Sequence, residues 1–252
     1  MSGHSKWSQI KRQKGVADAK RGAVFTKVTR EILIAVRAGG PDPDGNYKLR
    51  LAIEKARSVD MPQDNIRRAI ERASGPGETE RYEEIAYEGY GPGGVAILVE
   101  TATDNRNRTA ADIRSIFSKH GGQLAGAGSV AWQFEPRGVI SVPRDGRDPD
   151  ETALVAIDAG ATDVDTDAGD VIEVQTEAND LERVRSELER AGVSVESAEL
   201  TMVAKLPMTL EPARARQNLR LVEALEEQDD VQRVTANFEI PEEVFAEAAA
   251  GS

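Results

Sequence analysis

The 252-residue sequence predicts an α+β protein of three domains: an N-terminal helical domain followed by two α+β (ferredoxin-like) sandwiches, the last inserted in the middle one. Helical periodicity dominates the first 77 residues, whereas strand and helix patterns alternate in the rest of the chain. Six elements between residues 138 and 204 follow the order βαββαβ, which is the ferredoxin-like pattern. The predicted domains are residues 1–77, residues 80–135 with 206–240, and residues 136–205, followed by a tail at 241–252.

Three helices are predicted in the first domain. The first spans about Asp18 to Ala38, because its apolar residues recur on one face, and the Gly/Pro/Asp run at 39–45 ends it. The second is expected at about 46–59, and the third begins near Pro62, since proline suits a first helical turn. The first twenty residues show neither helical nor strand periodicity, so we expect them to form an extended or locally ordered arm.

The middle domain is predicted from alternating strand and helix patterns. We expect strands at 82–87 and 95–101, a helix at 106–120 and a strand at 129–134, with Thr109 and Asp112 placed like a capping box. A late helix at 212–227 and strand at 231–238 would complete this unit, because alone they could not bury their apolar faces. The alternative is a contiguous split near residue 136.

The inserted domain accounts for the elements between these two parts. Its predicted elements are a strand at 138–142, a helix at 149–159, strands at 162–166 and 171–176, a helix at 179–191 and a strand at 194–204.

The charge of the chain is divided unevenly along its length. The net charge is −12, yet residues 1–75 contain 16 Lys or Arg against 8 Asp or Glu, and the remainder contains 16 against 36. A polyanion would be attracted to the N-terminal part and repelled by the rest, so we expect nucleic-acid contact through residues 1–40. An acidic protein that begins with an ordinary helix is the alternative interpretation.

The N-terminal arm is the most suggestive segment. Lysine and arginine neutralise phosphates, serine and backbone N–H groups add positioning contacts, and Trp7 could stack on a base or ribose. The first helix adds a basic stripe beside its buried stripe. A frayed terminus whose Trp7 packs on that helix is the alternative. The predicted nucleic-acid-binding residues are His4, Ser5, Lys6, Trp7, Lys11, Arg12, Lys14, Lys20, Arg21, Lys27, Arg30 and Arg37.

A second candidate for anion contact lies at the predicted strand-to-helix turn formed by Asn105, Arg106, Asn107 and Arg108. Backbone N–H groups at a helix N-terminus and arginine side chains could hold an anion there. The favoured alternative is a helix cap whose arginines pair with nearby carboxylates.

Residue types that serve most catalytic or metal sites are scarce in this sequence. There is no Cys, and His4 and His120 are the two histidines, which excludes disulfides, thiol catalysis and zinc-finger ligation. Four aspartates between Asp163 and Asp170 lack the EF-hand spacing with its closing Glu, so a solvated acidic hairpin is favoured over a cation site. We therefore expect a non-enzymatic protein with no cofactor and no metal. At 4% of the sequence, aromatic residues offer few platforms for stacking bases.

The longest strongly apolar run, Ile32 to Val36, is too short to span a bilayer. We therefore expect a cytoplasmic protein without membrane contact.

Several long blocks of the sequence closely resemble the YebC/PmpR family. They are GHSKW at 3–7, DAKRGAVF at 18–25, GGPDPDGNYKLRLAIEKARSVDMPQDNIRRAIERASG at 39–75, YEGYGPGGVAILVE at 87–100 and TDNRNRTAADIRSIFSKHGGQLAGAGSVAWQF at 103–134. That family includes the human mitochondrial translational activator of cytochrome oxidase. The resemblance implies a non-enzymatic protein with a helical first domain and two α+β domains. By matching motif it places contact residues at His4, Ser5, Lys6 and Trp7, with Lys11, Arg12, Lys14, Lys20 and Arg21 behind them.

The resemblance implies one of two targets. Some members are described as transcriptional regulators that bind promoter DNA, and others as translation factors that bind the large ribosomal subunit and relieve stalls at proline-rich stretches. This sequence leans towards ribosomal RNA, because it shows no helix-turn-helix with base-reading side chains on a second helix. Duplex DNA stays the alternative, since a basic helical domain can bind a duplex backbone with little sequence choice. A protein-interaction adaptor is the third possibility. We expect a monomer, with ribosomal proteins as further partners.

Overall fold

The structure is a computed structural model that describes residues 6–7, 9–10, 18–75 and 82–250, with the side chains of 18–21 and 249–250 left undescribed. Its described part contains helices and two four-stranded antiparallel sheets, which confirms the predicted α+β class. In chain order the elements are α1 (Asp18–Gly39), α2 (Tyr47–Ser58), α3 (Gln63–Ser74), β1 (Glu83–Gly91), β2 (Val95–Thr103), α4 (Arg106–Lys119), β3 (Gln123–Leu124), β4 (Phe134–Pro143), α5 (Pro149–Asp158), β5 (Asp163–Asp165), β6 (Val171–Glu177), α6 (Leu181–Arg190), β7 (Ser197–Ala204), α7 (Pro212–Glu226), β8 (Val231–Ala236) and α8 (Glu242–Ala250).

The helical region, residues 18–75, packs its three helices around one apolar core. Its largest fully buried side chains are Ile32, Leu49 and Ile66, one from each helix. Asn46 caps α2 by accepting a hydrogen bond from the Leu49 N–H at 3.1 Å, and its amide donates to the Ala35 carbonyl at 2.7 Å. This side chain therefore fixes the angle between α1 and α2.

The first sandwich consists of β1, β2, α4, β3, α7, β8 and α8. Its sheet has the order β3-β1-β2-β8, and helices α4 and α7 cover one face over a core that includes Ile97, Ile113, Phe117 and Leu221. Strand β8 pairs with β2 although the whole segment 134–204 lies between them in sequence.

The second sandwich consists of β4, α5, β5, β6, α6 and β7. Its strand order β5-β6-β4-β7 is the ferredoxin-like one, and its core includes Ile140, Ile172 and Leu188. The strand orders of the two sheets are those expected for a second sandwich inserted in the first. The domain boundaries themselves stay a prediction.

The prediction of a strand at 129–134 is wrong. A two-residue strand, β3, takes its place at Gln123–Leu124, and Ala131–Gln133 forms a 3₁₀ turn. The carboxylate of Glu88 accepts the N–H groups of Gly128, Val130 and Ala131, so these groups are not available to a strand ladder.

Two further expectations at chain ends and helix ends are corrected. The capping box at Thr109 and Asp112 is wrong, because Asn105 caps α4 by accepting from the Arg108 N–H at 3.1 Å. The tail at 241–252 contains helix α8, because Val244 is buried in the first sandwich and Arg216 pairs with Glu247 at 2.7 Å.

Candidate nucleic-acid interface

Two cations of the predicted basic stripe of α1, Lys27 and Arg30, contact the first sandwich. Lys27 Nζ donates to the Glu226 carbonyl at 2.5 Å, where α7 ends, and a cation is favoured at that negative end of a helix dipole. The Arg30 guanidinium donates to the Asp229 carbonyl at 2.5 Å and lies 3.1 Å from an Asp230 carboxylate oxygen. We call residues 226–230 the acidic loop, and both cations are bound to it.

Asp230 is the centre of this contact and is almost fully buried. Its carboxylate accepts hydrogen bonds from Thr109 at 2.6 Å, Arg108 at 2.8 Å and Thr103 at 3.2 Å, besides the contact with Arg30. Burial alone would raise the pKa of Asp230, but the bonds from Arg108 and Thr109 and the charges of Arg108 and Arg30 outweigh it and lower that pKa. The site therefore holds a stable negative charge between the helical region and the first sandwich.

The described part of the N-terminal arm also packs on the first sandwich. Ile10 is fully buried in the core of that sandwich, and the four described residues of the arm are helical. Lys6 Nζ donates to the Ile240 carbonyl at 2.9 Å and lies 3.1 Å from a Glu242 carboxylate oxygen. The Trp7 indole N–H donates to Glu226 Oε1 at 3.2 Å. The alternative of Trp7 packing on the first helix is replaced by packing on the first sandwich.

These contacts occupy part of the predicted nucleic-acid-binding surface of the arm and α1. Lys6, Lys27, the Arg30 Nη1 group and the Trp7 indole N–H each have a protein partner, and Lys6 is only 8% exposed. A nucleic acid could use these four side chains only by displacing the acidic loop and Glu242. Their binding role stays a prediction that requires such a release.

The other predicted contact residues are placed differently. Arg37 is exposed in the last turn of α1. His4, Ser5, Lys11, Arg12 and Lys14 lie outside the described residues, and so do the side chains of Lys20 and Arg21.

Sequence reasoning missed further exposed arginines of the helical region. Arg57, in the last turn of α2, and Arg68, on α3, are exposed and form no ion pair with a described residue. Arg72 lies one turn after Arg68 and is exposed as well. The signal for Arg68 and Arg72 was present in the sequence, since both alternate with the buried Ile66 and Ala69 of α3 at helical spacing.

The predicted anion contact at 105–108 has another role in the structure. The Asn105 side chain is occupied as the cap of α4, and Arg108 bridges Asp104 at 2.7 Å and Asp230 at 2.8 Å. Asn105 and Arg108 therefore follow the favoured alternative, in which the segment caps a helix and its arginine pairs with carboxylates. Arg106 and Asn107 are exposed beside them.

A cavity of about 660 Å³ lies where α1 and α2 meet β7 and the edge of the first sheet. Its charged lining is more acidic than basic, and burial raises the pKa of one of its carboxyl groups, Glu100. This lining disfavours a phosphate ligand. The carboxylates are Glu31, Glu54, Glu84, Glu100, Glu196 and Glu199, and the cations are Lys48, Lys55, Arg185 and Arg233.

Within the described ranges, no group of three His, Asp or Glu side chains is placed to hold a metal ion. No helix in the described part of the chain is both long and apolar enough to cross a membrane.

Comparison with known proteins gives a consistent result over nearly the whole chain. A family model described as "TACO1/YebC protein N-terminal domain" matches residues 5–76, and another described as "TACO1/YebC second and third domain" matches residues 82–238. The chain is 56% identical to a "Probable transcriptional regulatory protein" of Rubrobacter xylanophilus over 250 residues, which are 99% of this chain and 100% of the relative. It is 53% identical to "Probable transcriptional regulatory protein cbdbA400" of Dehalococcoides mccartyi over 244 residues, 97% of each chain.

A solved structure has the same fold. The structure titled "Crystal Structure of a Conserved Hypothetical Protein Aq1575 from Aquifex Aeolicus" superposes with a TM-score of 0.84 at 45% identity, over 90% of this chain and 93% of that one. These comparisons confirm the family resemblance read from the sequence.

Proposed function

The chain belongs to the TACO1/YebC family, and from that premise we propose that it is a nucleic-acid-binding regulator of gene expression that performs no catalytic step. The names of relatives more than 50% identical to it support the regulatory role. The observation that carries the nucleic-acid part is the separation of charge. Residues 1–75 hold twice as many basic as acidic residues, whereas the sandwiches are strongly acidic, so a polyanion is steered to the helical region.

We propose that the binding surface combines residues of the arm and α1 with exposed arginines of α2 and α3. Lys11, Arg12, Lys14, Lys20, Arg21 and Arg37 come from the sequence prediction, and the structure adds the exposed Arg57 and Arg68. Lys6, Trp7, Lys27 and Arg30 would join this surface only after leaving the acidic loop and Glu242. His4 and Ser5 would contribute positioning contacts beside them.

The favoured target is RNA of the large ribosomal subunit, where the protein would act from the cytoplasm as a translation factor that relieves stalls at proline-rich stretches. An irregular basic surface spread over the arm, α2 and α3 suits an irregular RNA better than a regular groove. The acidic sandwiches would then face basic ribosomal proteins or solvent. The second candidate is a transcriptional regulator that binds promoter DNA; the names of the relatives favour the transcriptional role.

The experiment that tests this proposal is a competition between large ribosomal subunits and promoter-length duplex DNA. Five phosphate contacts would give a log–log slope of affinity against salt of roughly −3.5 to −4.5, measured between about 50 and 200 mM salt. A variant with Lys11, Arg12 and Arg68 changed to Ala should flatten that slope by about two to three units.

A matched control removes the same charge elsewhere. Arg114, Arg144 and Arg190 are exposed outside the helical region, and their replacement by Ala should leave the slope unchanged. Charge substitutions are preferable to deletion of residues 1–21, because deletion would also take Ile10 out of the core. If both triple variants had the same slope of affinity against salt, the helical region would not be part of the interface. Sequence-selective binding to the duplex that outcompetes the subunit would establish the transcriptional alternative.

A further inference from the structure

Two exposed aromatic side chains of the first sandwich converge on one carbonyl group. The Tyr90 hydroxyl donates to the Ser129 carbonyl oxygen at 3.0 Å, and the Trp132 indole N–H donates to the same oxygen at 3.1 Å. Trp132 remains 66% exposed and Tyr90 37% exposed. Large aromatic rings are usually buried in a folded protein, so two exposed rings fixed on one atom call for a ligand.

The loop that carries Trp132 and the Ser129 carbonyl is hydrogen-bonded from beneath, whereas Tyr90 lies on strand β1. The buried Glu88 carboxylate accepts hydrogen bonds from Gly128 and Val130 at 2.6 Å and from Ala131 at 2.8 Å. Val130 is itself fully buried between the two sandwiches. The rings are thus positioned before any ligand arrives, which lowers the entropic cost of binding.

A cation is bound to the backbone of Trp132. Lys205 Nζ donates to the Trp132 carbonyl at 2.9 Å, and the Lys205 N–H donates to the Gln133 carbonyl at 2.9 Å. Among the described residues no carboxylate pairs with Lys205, and Glu88 is satisfied by backbone N–H groups of the loop. Flat rings with an adjacent ammonium group are the combination that binds a base and its phosphate.

We propose that Tyr90, Trp132 and Lys205, here called the aromatic platform, form a second nucleic-acid contact that stacks an unpaired base and binds its phosphate. The inference rests on the proposed function and deepens it, because it adds one local contact on a sandwich whose net charge otherwise repels a polyanion. An exposed ring stacks on the face of an unstacked base, which the interior of a duplex does not offer. The platform therefore selects single-stranded segments, as they occur in loops of a folded RNA. A protein partner is the less favoured occupant, since a stable protein interface needs a larger contiguous area than two rings and Leu206 supply.

The chain offers a direct reporter for this contact, because it contains only two tryptophans. In the variant W7F, Trp132 is the sole indole fluorophore. We expect saturable quenching of its fluorescence by single-stranded RNA 12-mers of uridine or adenosine, and much weaker quenching by a 12-base-pair duplex. Stacking should also protect Trp132 from acrylamide.

Substitutions separate stacking from charge. Trp132→Ala should weaken single-strand affinity by about tenfold, within the range known for one stacked base, whereas Trp132→Phe should retain most of it. Lys205→Ala should lower the salt slope by about one unit. Leu154→Ala removes a side chain of similar exposure from α5 in the second sandwich, and it should leave affinity unchanged.

The outcomes distinguish this inference from the proposed function. Unchanged affinity in Trp132→Ala, with weakened affinity in the Lys11/Arg12/Arg68 variant, would overturn the platform and leave the proposed function intact. Protection of Trp132 from acrylamide by RNA-free large-subunit proteins, but not by single strands, would overturn it in favour of a protein contact. If the wild-type protein bound no nucleic acid at all, both the platform and the proposed function would be overturned.

Discussion

Two buried carboxylates organise different parts of this molecule, and they are held in different ways. Asp230 is bound by side chains, including Arg30 from the helical region and Arg108 from the first sandwich. Glu88 is bound by three backbone N–H groups of a single loop. Backbone groups cannot leave while the loop stays folded, whereas an arginine can exchange its partner for water or phosphate. The difference suggests a separable junction at Asp230 and a fixed support at Glu88.

The largest effect on stability is expected from Asp230→Asn. The substitution removes the charge that pairs Arg30 and Arg108 and also disturbs the bonds from Thr103 and Thr109. Breaking a buried charge pair leaves its partners uncompensated, so the free energy of unfolding should fall by about 3 kcal/mol in urea titrations.

The neighbouring residue supplies the control for that prediction. Asp229 is exposed, and Asp229→Asn should change the free energy of unfolding by less than about 0.5 kcal/mol. If Asp230→Asn changed the free energy of unfolding as little as Asp229→Asn, the Asp230 carboxylate would not join the helical region to the first sandwich.

A smaller loss is expected from Glu88→Gln. The amide retains one acceptor oxygen but turns an NH₂ group towards a backbone N–H, so the free energy of unfolding should fall by about 1–3 kcal/mol. In the W7F background the fluorescence of Trp132 should also become more accessible to acrylamide. Glu84→Gln, at an exposed position of the same strand, should change neither quantity. A Trp132 signal that is unaltered by Glu88→Gln would show that the loop does not depend on this carboxylate.

Lowering the pH should reduce the stability that both carboxylates contribute. Burial would raise the pKa of Glu88, but its three backbone hydrogen bonds outweigh burial and lower that pKa; the pKa of Asp230 is lowered as well. A lowered folded-state pKa contributes stability above the unfolded-state value of about 4, and this contribution is lost as the pH falls through the folded-state value. Unfolding free energy measured from about pH 6 to about pH 3 should therefore drop less steeply in Glu88→Gln and Asp230→Asn than in the wild type. If the unfolding free energy of the variants fell with pH as steeply as that of the wild type, the lowered pKa values of Glu88 and Asp230 would be contradicted.

The contrast between the two carboxylates also explains what could be predicted from the sequence. Helices α1 to α3 were predicted within one or two residues, because their apolar spacing and the breakers at 39–45 are local signals. The strand expected at 129–134 failed because Glu88, about forty residues away, takes the N–H groups of that segment. No periodicity reports such a distant acceptor.

The candidate site was harder to predict for the same reason. Lys27 and Arg30 of α1 both bind the acidic loop, but the atoms that bind them are far along the chain, as in Arg30 and Asp229, 199 positions apart. Charge arithmetic identifies which part of the chain is basic, whereas only the fold shows which cations are already paired. The exposed Arg57 and Arg68 carried the same charge in that arithmetic and could not be told apart from Arg30.

The smallest effect is expected where the arm meets α8. The pair between Lys6 and Glu242 has one well-buried partner, but the Glu242 side chain is 74% exposed, and such pairs contribute little. Glu242→Gln should lower the free energy of unfolding by at most about 1 kcal/mol at low salt, and the difference should vanish at high salt because the pair is screened. Glu243→Gln, one residue further on the same helix, is the matched control, since its nearest described cation is Arg216 at 3.9 Å. The arm is held chiefly by Ile10 in the core, so a large and salt-independent loss in Glu242→Gln would mean that charge, not apolar burial, holds it on the first sandwich.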